Sequence, residues 1–247
     1  MHGPGGAFVL VCLQLLIGTF GFMWIANLRY KFVNRGYYRS TTWVLWPLTA
    51  AVAGLLTTGL RVFTLGVAGL MLAFLLSVYS QRPLLEWIAG AAAAAAGIGL
   101  VVVSGWSICG GACGFGIGHA LAGVILMGAV THAMTLGHWY LNQARLPIDP
   151  LAEHIWILFG ALAVSAVLGF ASRAELVAGT VAGGLFAFSS SSYWWTWLLL
   201  LAATAGLGAM IKATITEKAT QSATGLLYIA IVTALGAQFI LNLLVVS

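Results

Sequence analysis

Nine apolar runs dominate the chain, most of them about as long as the roughly 20 residues that a helix needs to cross 30 Å of hydrocarbon. They lie near residues 7–28, 41–60, 62–80, 87–105, 117–142, 151–171, 175–190, 193–212 and 223–245, separated by short loops. Inside a bilayer the backbone has no water to bond, so such runs are read as helices that satisfy their own N–H and C=O groups. The expected fold is therefore all-α and integral to the membrane: a polytopic bundle of about eight or nine transmembrane helices, forming one transmembrane domain over residues 1–247. Composition agrees, because only 6% of residues are charged, against about a quarter in a soluble domain.

The seventh run is short, and Ser189–Ser192 is weak punctuation between it and the eighth, so eight spans is the alternative count. Met1-His2-Gly3-Pro4 lacks the positive n-region of a secretory signal, and the first run is kept as a span. Arg29, Lys31, Arg35 and Arg39 crowd one loop, which the positive-inside tendency assigns to the cytoplasm. With nine alternating spans the N-terminus is then outside a bacterial inner membrane. Arg82 and Arg145 fall inside, and Arg61, Arg173, Lys212 and Lys218 outside, a bias of six to four.

Small residues from Gly90 to Gly99, and Gly179, Gly183 and Gly184, predict close helix packing. Trp43, Trp46, Tyr193, Trp194, Trp195 and Trp197 are expected in the interfacial belt. Gln14, Asn27, Gln238 and Asn242 are expected to bond between helices. Cys12 is read as a buried thiol, and Cys109 with Cys113 as a possible disulfide in an external loop.

Histidine distribution is the functional lead. His119, His132, His138 and His154 all fall on the fifth and sixth runs, and ionisable groups at membrane depth usually face a cofactor, a polar pathway or the bundle interior. The loop from Gln143 to Pro150 is short and carries two prolines, so the two spans should be antiparallel neighbours. His138 lies four residues before Asn142 and His154 four after Pro150. Both are then about 6 Å into their helices, at depths where they could share a ligand. Thr131, Thr135, His138 and Asn142 recur at i, i+4, i+7 and i+11, a polar stripe that should point inward.

Three chemistries use these residues. Facing imidazoles from His138 and His154 would ligate the iron of a haem b, with Arg145 on a propionate; a second haem would need His119, whose partner is not evident. A quinone would instead need hydrogen bonds to its carbonyls, proton exchange and aromatics to stack on, groups that His138, Tyr140, Trp139 and a carboxylate such as Asp149 or Glu153 provide. A metal site from His132, His138 and His154, with Met134, suffers from the poor facing of residues six apart.

Phosphate-loop, dinucleotide-binding, zinc-protease and covalent-haem motifs are absent, and five acidic residues are too few for a carboxylate relay across the bilayer. The expected role is a membrane subunit of an electron-transfer complex, at most part of an oxidoreductase, that binds haem b, a quinone or both. Its partners would be lipid and other membrane subunits, with no nucleic acid. A structural or assembly subunit is the runner-up, and a small-substrate transporter comes third.

Overall fold

The computed structural model describes residues 3–30, 33–109, 114–142, 147–178 and 189–246, without the side chains of 108, 109 and 142. Among these residues the chain is wholly helical: α1 Pro4–Arg29, α2 Arg35–Ala53, α3 Thr58–Ser80, α4 Pro83–Cys109, α5 Gly114–Asn142, α6 Asp149–Ala171, α7 Arg173–Ala178, α8 Ser190–Thr216 and α9 Thr220–Val246. Seven of them are long and apolar enough to cross a membrane, so the chain is a multi-pass helical bundle. The two others are α2 and α7. The 19-residue α2 has a polar first half that includes Arg35 and Arg39, and α7 has six residues. The apolar-run rule starts the second span at residue 41, but the side chain of Asn34 accepts from the Gly36 N–H and the helix begins at Arg35.

The expected seventh span, 175–190, is not a described helix: α7 ends at Ala178, and residues 179–188, with Gly179, Gly183 and Gly184, lie outside the described residues. The helices around it correct the topology. The indole N–H of Trp194 donates to the Gly169 carbonyl at 3.2 Å, and Phe170 meets the Trp194 ring at 5.1 Å. So α8 starts on the face where α6 ends, and its other end returns beside the start of α6, with Lys212 over the Trp156 ring at 3.9 Å. Arg29, Arg35, Arg39, Arg82, Lys212 and Lys218 therefore share one face, here called the loop face, and Arg61 and Arg173 lie on the other. On these eight described residues the expectation was four against four, and it becomes six against two because Lys212 and Lys218 change sides.

Packing centres on α5, the most buried of the spans, against α1, α6 and α9. Glycines set the approach. A Cβ on Gly18 would lie 2.2 Å from the Val124 carbonyl oxygen and 2.8 Å from Gly128 Cα, so α1 and α5 touch backbone to backbone. Gly90 and Gly97 of α4 receive Trp24 and Ile17 of α1, as the small residues there predicted.

The intramembrane amides pair as expected. Gln14 donates to the Ala120 carbonyl at 3.1 Å and accepts from Asn242 at 3.0 Å, and Gln238 donates to Asn242 at 3.1 Å, which ties α1, α5 and α9 together. Asn27 donates to Glu86 at 3.4 Å, and Arg35 pairs with the same carboxylate at 3.1 Å. Arg35 and Arg39 also reach the Val78 carbonyl, each at 3.4 Å, and so pin α2 to the open C-terminal turn of α3.

The aromatic expectation is corrected in part. Trp43 and Trp195 are exposed, but Trp194 and Trp197 are each only 1% exposed. Gly169 is the reason: a Cβ there would sit 2.1 Å from the Trp197 ring, so its lack of a side chain admits the indole to the core. Cys12 is half-buried and free, whereas Cys113 and the Cys109 side chain lie outside the description.

Candidate functional site

The hairpin of α5 and α6 is antiparallel, as its prolines predicted, but its register is shifted along α5 from His138 to His132, nearly two turns. The Tyr140 hydroxyl donates to the Pro147 carbonyl, which folds the connection back along α5 before α6 begins at Asp149. As a result His154 does not meet His138. It meets His132, with His132 Nδ1 and His154 Nε2 2.7 Å apart and ring centroids at 4.5 Å. Both rings are buried.

Hydrogen-bond chemistry assigns the protons in this pair. His154 Nδ1 lies 2.6 Å from the Pro150 carbonyl, which can only accept, so Nδ1 carries the hydrogen. His154 Nε2 is then a lone pair and accepts from His132 Nδ1–H. His132 Nε2 is left as an acceptor with no hydrogen-bond partner among the described residues. Phe22 of α1 stacks on the His132 ring at 6.4 Å, and Tyr37 of α2 lies edge-on to it at 5.9 Å.

The haem geometry does not fit this arrangement. A metal–imidazole bond is about 2 Å long, so two imidazoles on opposite sides of one iron hold their nitrogens about 4 Å apart. Here the nitrogens share one hydrogen at 2.7 Å. His138 is one face away, exposed, with Nδ1 3.3 Å from the Tyr228 hydroxyl of α9. His119 lies at the far end of α5, where its Nε2 donates at 2.8 Å to a Ser172 hydroxyl that itself donates to the Leu168 carbonyl. Arg145 lies outside the described residues. No group of three or more His, Cys, Asp or Glu among the described residues converges as a metal site.

The polar stripe of α5 has a different destination. Thr131, Thr135 and His138 line a cavity of about 540 Å³ bounded by α1, α2 and α5, with Tyr228 of α9 at its edge. The rest of the wall is mostly apolar, from residues such as Leu15, Leu45 and Met134, with Thr19, Ser40 and Thr41 among them. Exposed Val44 and Leu48 of α2 and Tyr228 of α9 flank the mouth. Such a volume and lining are those of a small-molecule pocket.

No family model, curated protein or solved structure matches the chain.

Within the cleft the hydroxyls are ordered. Thr135 donates to the His132 carbonyl at 3.0 Å, so its oxygen accepts from the Tyr37 hydroxyl at 3.0 Å. Thr131 is buried, and its hydroxyl has no partner among the described residues. Trp139, expected at the site, forms a wall with its ring 5.7 Å from Tyr37. Tyr140 is not part of the lining. It positions the loop instead. Sequence reasoning missed Tyr37 and Tyr228, because they come from α2 and α9, whose approach to α5 no local spacing reveals.

Outside the cleft, Glu153 on the loop face accepts from Arg29 at 2.8 Å and from the Tyr30 hydroxyl. This joins the end of α1 to the start of α6.

Proposed function

We propose that the chain is a membrane subunit of an electron-transfer complex and that its cleft takes a lipid-soluble ligand of the quinone class. The observation that carries this reading is the meeting of His138, Thr131, Thr135, Tyr37 and Tyr228 on a mostly apolar cavity of about 540 Å³. A quinone asks for this combination: carbonyl or hydroxyl oxygens that need a few directed partners, and a ring and tail that need apolar walls. The ring has Trp139 and Tyr37 to lie against, and the tail can leave between Val44 and Leu48 into lipid. The direct hydrogen bond between His132 and His154 favours a quinone over haem b as the ligand of this region.

The same reading orients the chain. Short cytoplasmic loops are rich in Lys and Arg, so the face with six described basic residues is assigned to the cytoplasm of a bacterial inner membrane. Both ends of the described chain are then outside, and the cleft opens in the cytoplasmic half of the bilayer.

The test is photolabelling with an azidoquinone in membranes that contain the chain. The expected result is labelling of peptides 37–48 and 131–139, suppressed by excess unlabelled quinone. Labelling spread evenly over exposed α3, α4 and α8, with no competition, would reject the ligand class and leave a structural subunit as the better reading.

A further inference from the structure

We propose that the cleft holds its ligand in one orientation: an uncharged, oxygen-bearing head sits at the loop-face end on His138 and Tyr228, and the tail runs inward along α2 towards the bilayer midplane. The inference rests on the quinone-class reading and adds to it which part of the wall receives each end of the molecule.

The lining changes character along the helices that bound it. α2 begins at the loop face, and its lining residues run in the order Tyr37, Ser40, Thr41, Val44, Leu45, Leu48. Three hydroxyl-bearing residues come first and three aliphatic ones follow, over roughly 16 Å of helix. α1 ends at the loop face, and there Thr19 stands nearer that face than Leu15 and Leu16. On α5, which also ends there, Thr135, His138 and Trp139 lie towards the loop face and Met134 and Thr131 farther in. Thr131 departs from the gradient by residue type, but its hydroxyl is buried.

The hydrogens at the polar end decide where a ligand carbonyl is held. Tyr37 donates to Thr135, and Thr135 to the His132 carbonyl. Ser40 donates to the Tyr37 carbonyl at 3.0 Å, and Thr19 to the Leu15 carbonyl at 2.6 Å. These hydroxyls have no second hydrogen to offer. The exposed pair of His138 and Tyr228 differs, with Nδ1 3.3 Å from the phenol oxygen. If Tyr228 donates to Nδ1, the imidazole keeps an Nε2–H. If Nδ1 donates to Tyr228, the phenol keeps its O–H. Either way one hydrogen remains for a ligand oxygen, next to the rings of Trp139 and Tyr37.

The head must also be neutral. Among the described residues no Lys, Arg, Asp or Glu lines the cavity, so a phosphate or carboxylate would lose hydration without gaining a counter-charge. Val44 and Leu48 are exposed beside the inner half, where a tail can remain in contact with lipid. A ligand that enters sideways from the loop-face leaflet thus keeps its polar end towards the membrane surface.

Two probes test this in membranes that contain the full chain: a quinone with an azide on the ring, and one of the same head with a diazirine at the end of a decyl tail. The ring probe should mark residues 37–41 and 135–139, and the tail probe 44–48 and 15–16. Excess decylubiquinone should suppress both, and palmitate neither. The double variant His138→Leu, Tyr228→Phe should raise the half-maximal concentration of the ring probe about two- to tenfold, the range of one neutral hydrogen bond. Tyr228→Phe alone keeps an imidazole N–H and should shift it less. Reversed marking, or the same residues marked by both probes, overturns the orientation and leaves the cleft reading standing. An unchanged double variant overturns the head site, and competition by palmitate overturns the neutral head. Absence of competed labelling by either probe in the wild type overturns the cleft reading, and the orientation falls with it.

Discussion

Gly18 and Gly128 meet with no side chain between them: a Cβ added to Gly128 would lie 2.6 Å from the Gly18 carbonyl carbon. Gly21, one turn along α1, has nothing within 4 Å of that position. Gly18→Val or Gly128→Val should therefore force α1 from α5 and cost about 1–3 kcal/mol, the usual range for overpacking. Gly21→Ala should be neutral or slightly stabilising, because glycine is a poor helix former. Thermal unfolding in detergent checks both. Equal melting temperatures for Gly18→Val and Gly21→Ala would contradict the contact.

Topology makes a sharper prediction. In a chain whose own cysteines are replaced by serine, Arg82→Cys and Lys218→Cys should react with an impermeant maleimide from one side of sealed vesicles. Arg61→Cys and Arg173→Cys should react from the other. Nine alternating spans would put positions 82 and 218 on opposite sides.

The cleft hydroxyls should matter to a bound quinone more than to folding. Tyr37→Phe removes the hydrogen bond to Thr135 and the hydroxyl at the cavity wall. With a hydrogen bond worth about 0.5–1.5 kcal/mol net, half-maximal azidoquinone labelling should need roughly two- to tenfold more reagent. A variant that labels like the wild type would remove Tyr37 from the binding surface.

Tyr30, just beyond the end of α1, supplies a pH test. Burial and its hydrogen bond to Glu153 push its phenol up to about 12, from an ordinary value of about 10. The folded state thus holds the proton more tightly than the unfolded chain does. The stability this contributes is complete below about pH 10 and is lost as pH rises through about 12. Tyr30→Phe should flatten the fall in thermal stability over that interval. An unchanged slope would show that Tyr30 titrates as an ordinary phenol.

Asn242→Leu should leave the amides of Gln14 and Gln238 without their shared partner. Interhelical hydrogen bonds in bilayers average about 0.6 kcal/mol, with model peptides giving about 1–2 kcal/mol. A loss in that range is expected, and Gln14→Leu in the same chain should cost less than it does alone. Strict additivity of the two substitutions would argue against the shared bond.

The helices were legible because bilayer thickness writes itself into run length, and the stripe of Thr131, Thr135 and His138 because helical period is fixed. Equal depth for His138 and His154 was a sound deduction from helix ends but the wrong register. It counted from Asn142 and Pro150, and the Tyr140 bond to Pro147 draws α6 back along α5, so that His154 meets His132 instead of His138. That bond lies between a helix and a loop, where no periodicity speaks. The burial of Trp194 and Trp197 was hidden for a related reason, since it depends on Gly169 of another helix.

The bond between Gln14 and Asn242 spans 228 residues of sequence. At a synthesis rate of about 5–20 residues per second, the first helix waits roughly 10–50 seconds for the last to be made. During that interval the Gln14 amide can reach the Ala120 carbonyl once α5 is inserted, but its oxygen has no Asn242 to accept from. Chains halted before Gln238 would therefore carry a polar flaw in the bilayer, a mark by which quality-control proteases could tell unfinished copies from finished ones.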